Sequence, residues 1–129
     1  GMIDAMDRAE KKPSRDNLEK VFQLAWVSGG FGFRSPLTKK ERGQLTEIVN
    51  ACASTEVGVY LIVESVKNWD LLTIYLKQIM KSSQPPPEPK IGYILSAKVA
   101  VLTWIGQRAK ETTDASACTS GESDVWKDF

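Results

Sequence analysis

At 129 residues, with 42% hydrophobic and 26% charged side chains, the chain has the size and make-up of one globular domain that folds without a disulfide or metal framework. Seventeen basic against sixteen acidic residues leave a net charge of +1, so any nucleic-acid role would rest on a local patch and not on bulk charge. Histidine is absent and Cys52 and Cys118 are the only cysteines, which removes Ser–His and Cys–His nucleophile activation, histidine zinc sites and the usual four-ligand structural zinc.

The segment from Met2 to Lys12 carries six charges and no apolar stretch of the kind a secretory signal needs. Its Ile3, Met6 and Ala9, three apart, fit a short amphipathic turn or two. Pro13 breaks this segment, and Ser14 is placed to cap a helix of about fourteen residues. Leu18, Val21, Phe22 and Ala25 fall at i, i+3, i+4 and i+7 on that helix, which makes one apolar stripe. Gly29 and Gly30 end it.

Residues 29–37 form a long connection. Thr38 followed by Glu41 is a capping box, and Leu45, Ile48, Val49 and Cys52 repeat the apolar spacing of the first helix. Cys52 therefore reads as a small core residue. Ser54 and Thr55 suggest a bend. Beyond them Val57, Val59, Leu61 and Val63 alternate like a strand, yet the same stretch also fits a helix. No second strand stands out to pair with it, so residues 56–66 are read as helical. Asn68 is placed to cap a further helix, with Asp70 near its positive end and a wide apolar face of Leu71, Leu72, Tyr75, Leu76, Ile79 and Met80.

Pro85, Pro86, Pro87 and Pro89 make a stiff spacer between helices. A long helix follows over 91–110, and the run from Val99 to Ile105 is apolar on nearly all sides, the pattern of a central core helix. No run approaches the roughly 18 apolar residues of a membrane-spanning helix. Residues 112–124 are rich in small polar side chains, after which Val125, Trp126 and Phe129 close the chain. The expected organisation is a helical domain over 2–111 and a polar C-terminal tail with an aromatic anchor over 112–129. The expected fold is all-α, a compact bundle of four to five helices.

No catalytic, cofactor or metal motif is present. Gly30-x-Gly32 lacks the third glycine and the preceding strand of a dinucleotide loop, and no Gly-Lys-Ser/Thr follows for a phosphate loop. Glu64 has no partner acid, and Asp70 is accounted for by its helix start. Phe31 and Phe33 either tuck into the core or form an exposed aromatic hook for a partner. Arg34, Lys39, Lys40 and Arg42 crowd the start of a helix, as Lys11, Lys12 and Arg15 do at the helix before it. Free amides beside basic side chains make a natural anion site.

The run Leu37-Thr-Lys-Lys-Glu-Arg42, followed by Val66-Lys-Asn68, resembles the LuxR-type helix-turn-helix of response regulators. That resemblance implies DNA binding, with Lys67 and Asn68 facing the duplex. The reading that follows from the residues themselves is a non-enzymatic, cofactor-free interaction or regulatory domain, cytoplasmic by default, which associates with itself or another protein. Phe31, Phe33, Trp126 and Phe129 are its candidate partner contacts. The alternative is a nucleic-acid binder in which Arg34, Lys39, Lys40 and Arg42 meet phosphates and Lys67 lies nearer the bases.

Overall fold

The computed structural model describes the backbone of residues 1–80 and 84–117, and side chains as far as Arg108. Seven helices form among these residues: α1 (Met2–Lys11), α2 (Arg15–Ser28), α3 (Lys39–Ala51), α4 (Thr55–Lys67), α5 (Trp69–Ile79), α6 (Ile91–Ser96) and α7 (Lys98–Ala117). The all-α class read from the sequence holds, and residues 56–66 are helical. The count exceeds four to five for two reasons. The N-terminal segment is a full ten-residue helix, and the last helix divides at Ala97, whose backbone leaves helical geometry at φ −101°, ψ 17°.

The starts of α2, α3 and α4 follow from short polar side chains that satisfy otherwise orphaned amides. Ser14 Oγ accepts from the Asn17 amide at 3.2 Å, and Ser54 Oγ accepts from the Val57 amide at 3.2 Å. At α3 the capping box closes in both directions: Thr38 Oγ1 accepts from the Glu41 amide at 3.1 Å, and Glu41 Oε1 accepts from the Thr38 amide at 3.0 Å. Thr38→Ala should therefore lower stability by about 1 kcal/mol. The loss is read as a shift of a few degrees in thermal melting, and an unchanged midpoint would mean the box is energetically idle.

Asn68 departs from expectation. Its side chain makes no capping bond to α5, and its Nδ2 instead donates back to the Glu64 carbonyl at 3.2 Å. One residue has to end α4 and begin α5. Its φ of −113° and ψ of 34° lie outside the extended region that an N-cap uses.

The core centres on α4, which packs against α1, α2, α3, α5 and α7. Its Gly58, Val59, Leu61, Ile62, Val63, Ser65 and Val66 are all buried, and Ser65 Oγ donates to the Ile62 carbonyl. The central position expected for the last helix thus belongs to α4. On α7 the residues Val101, Trp104 and Ile105 are buried, but Val99 is 72% exposed. The α2 stripe of Leu18, Val21, Phe22 and Ala25 is fully buried, as its spacing requires. On α1 the buried side is Ala5 and Ala9, flanked by Met2 and Met6, and Ile3 is 82% exposed. Cys52 packs at the edge of the core with its Sγ donating to the Ile48 carbonyl, and burial pushes its thiol up.

The proline segment is tied to the bundle through Trp69. That ring is buried, its Nε1 donates to the Pro86 carbonyl at 2.9 Å, and Tyr93 meets it edge-on with centroids 6.1 Å apart. Among the described residues no helix is long and apolar enough to cross a membrane.

Candidate functional site

Two surfaces stand out: a groove beside the α2–α3 connection, and the outer face of α5. The groove begins with Gly30 and Gly32, whose φ of 84° and 82° lie in the left-handed region that glycine adopts without strain. These two turns send neighbouring phenylalanines to opposite destinations. Phe31 turns inward, its ring 5.0 Å from that of Trp26, while Phe33 stands 88% exposed.

Arg34 then folds back over the aromatic ledge. Its guanidinium carbon lies 5.1 Å from the Trp26 ring centroid and 5.9 Å from that of Phe22, and its Nη2 donates to Glu41 Oε2 at 2.7 Å. Arg42 pairs with Asp16, and its Nε lies 3.3 Å from Glu19 Oε1. The other oxygen of Glu19 accepts from the Leu37 amide at 2.8 Å. Both arginines therefore spend their charge fastening α3 and the preceding loop to α2. Lys39, Lys40 and Lys67 are exposed, without an ion-pair partner among the described residues.

Between residues 33–35, the first turns of α3 and residues 88–93 lies a cavity of about 590 Å³. Its walls include Trp26, Phe33 and Tyr93, with Arg34, Lys40 and Lys90 among them. Two donors on these walls, Trp26 Nε1 and Arg34 Nε, are buried with no hydrogen-bond partner among the described residues.

Of the residues singled out from the sequence, Phe33, Arg34 and Lys40 come together on this groove, and Phe31 supports it from behind. Lys67 ends α4 elsewhere, and Trp126 and Phe129 lie outside the described residues. Lys90 and Tyr93 were missed because α6 packing against α3 brings them to the groove, and Trp26 because α2 packing against α3 does so, and no local spacing encodes either contact. The isolated acid Glu64 accepts from the Tyr60 hydroxyl at 3.3 Å. Burial, then Glu64, pushes that phenol up, while Arg108 opposes the shift.

The α5 face is of a different kind. Trp69, Leu72 and Leu76 make its core side, whereas Leu71, Ile74 and Ile79 are 51%, 56% and 50% exposed. Leu71, Ile74 and Tyr75 follow one another at i, i+3 and i+4, with Ile79 one turn beyond Tyr75, so the uncovered side chains form a stripe beside the core stripe.

No family model, curated protein or solved structure matches this chain.

Proposed function

We propose that the protein is a non-enzymatic helical interaction domain that self-associates through the outer face of α5. The observation that carries this reading is the stripe of Leu71, Ile74 and Ile79, three large aliphatic side chains left about half in water within nine residues of one helix. A clustered apolar surface of this kind gains free energy when covered and marks association sites in folded proteins.

The charges beside the stripe favour a second copy as the cover. Asp70 and Lys77 stand seven residues apart on the same edge of α5, both exposed, with no ion-pair partner among the described residues. Two α5 helices packed antiparallel about a two-fold axis near Ile74 would set Asp70 of each copy against Lys77 of the other. A two-fold interface must be self-complementary in this way. An eleven-residue helix covers less than the ~800 Å² per partner of a standard interface, so the dimer is weak and dependent on concentration.

The nucleic-acid alternative has less in its favour. Arg34 and Arg42 are committed to carboxylates, which leaves three lysines. The open stripe of the helix that ends with Lys67 carries Glu56, Tyr60 and Glu64 beside that one lysine, two acids to one base, which disfavours contact with a DNA groove.

Ile74→Glu should abolish the dimer seen by sedimentation velocity without unfolding the domain, since Ile74 already stands in water. Asp70→Lys should weaken the dimer, and adding Lys77→Asp should restore it. A dimer indifferent to Ile74→Glu would refute the reading, and one indifferent to Asp70→Lys would refute the antiparallel register.

A further inference from the structure

We infer that Ser35 is a phosphorylation site, whose hydroxyl takes a phosphoryl group from ATP in the cleft of a proline-directed serine/threonine kinase. The inference rests on no residue of α5 and stands apart from self-association.

Among the serines and threonines of the chain, Ser35 alone is followed by proline. Pro36 disfavours helical backbone at the residue before it and brings no amide that needs a partner, so Ser35 stays extended ahead of α3. A kinase cleft takes its acceptor from an extended segment whose backbone groups are free.

The fold presents such a segment between two fixed ends. At one end the Phe31 amide donates to the Trp26 carbonyl at 3.2 Å, and the two rings pack together. At the other end Leu37 is buried and its amide is held by Glu19. Between these anchors Phe33, Ser35 and Pro36 are exposed, and the backbone of residues 32–36 makes no hydrogen bond among the described residues. The Ser35 hydroxyl is therefore reachable without local unfolding.

The surroundings suit the product. Ser35 lines the groove with Arg34, Lys40 and Lys90, against the acids Glu41 and Glu88. Arg34 Nη1 already donates to Ser35 Oγ at 3.4 Å, while Glu41 is committed to Arg34 and to the Thr38 amide. A phosphate carries about −1.5 to −2 charge and three acceptor oxygens, so on Ser35 it meets Arg34, Lys40 and Lys90. Through Lys90 it would tie residues 33–35 to the start of α6.

The transfer balances with ATP as the one co-reactant. The Ser35 oxygen forms a bond to the γ-phosphorus, the bond from that phosphorus to the β–γ bridging oxygen breaks, and ADP leaves. The hydroxyl proton passes to the catalytic aspartate of the kinase.

The test incubates the full chain with a proline-directed kinase and Mg²⁺-ATP, beside a synthetic peptide of residues 29–42. Intact mass should show one added phosphoryl group, tandem mass spectrometry should place it on Ser35, and Ser35→Ala should take up none. The folded chain should react at least as fast as the peptide, because its loop needs no rearrangement. In the phosphorylated protein, titration followed by the ³¹P resonance should put the second ionisation of the phosphate below its usual value of about 6. Lys40→Glu with Lys90→Glu, both at exposed positions, should raise that ionisation by about one unit. No uptake, uptake at another residue in place of Ser35, or a folded chain slower than the peptide would each overturn the site. A phosphate ionisation indifferent to the two lysines would overturn its place in the groove.

Discussion

Trp69→Ala is expected to cost about 3–5 kcal/mol and to lower thermal melting by roughly 10–20 °C. The ring is 1% exposed and is the largest of the fully buried side chains. It is also the only described link between the proline segment and α5 through a side-chain hydrogen bond, donated by Nε1 to the Pro86 carbonyl. Truncation thus opens a cavity, removes the edge-on contact with Tyr93 and leaves that carbonyl unpaired. Trp69→Phe separates the contributions. It keeps most of the apolar volume and loses the hydrogen bond, so it should cost about 1–3 kcal/mol. Urea unfolding of the two variants measures both values. An alanine variant as stable as the phenylalanine one would show that the ring is poorly packed.

The second large effect concerns two glycines of similar helical setting and opposite environment. A Cβ on Gly58 would stand 2.9 Å from the Val49 Cα and 3.1 Å from its Cγ2, so α3 and α4 would have to separate. A Cβ on Gly43 would meet nothing within 4 Å. In an open helix position alanine is favoured over glycine by about 0.5–1 kcal/mol, because the unfolded chain loses freedom. Gly43→Ala should therefore stabilise the domain by about that amount. Gly58→Ala should destabilise it by about 1–3 kcal/mol, since overpacking outweighs the same propensity gain. The opposite signs are the test. If both substitutions stabilise, α3 and α4 do not approach as closely as described.

What the sequence made legible is what local physics decides. The α2 stripe, the Ser14 cap and the Thr38–Glu41 box depend on residues within one or two turns of each other, and each is found as read. The less legible features are settled by distant neighbours. Asn68 has the composition of an N-cap, but the adjoining end of α4 claims its side chain. Val99 and Ile3 have core composition, yet the helices they sit on turn other residues inward. Leu71 and Ile79 belong to the wide apolar face read from the sequence, of which the fold buries Leu72 and Leu76, together with Trp69, and leaves Leu71 and Ile79 about half exposed.

The basic cluster gives the same lesson for the site. Arg34, Lys39, Lys40 and Arg42 lie within nine residues and look alike in sequence. The fold brings Glu41, Asp16 and Glu19 against the arginines and leaves the lysines open. The groove depends on that sorting, together with residues 88–93 arriving from far along the chain.

Sedimentation velocity of the unmodified protein over a concentration series from micromolar to millimolar tests the central proposal most directly. Self-association through α5 predicts a weight-average mass that climbs from the monomer toward the dimer, with the whole rise removed by Ile74→Glu. A mass that stays at the monomer value across the series would contradict it.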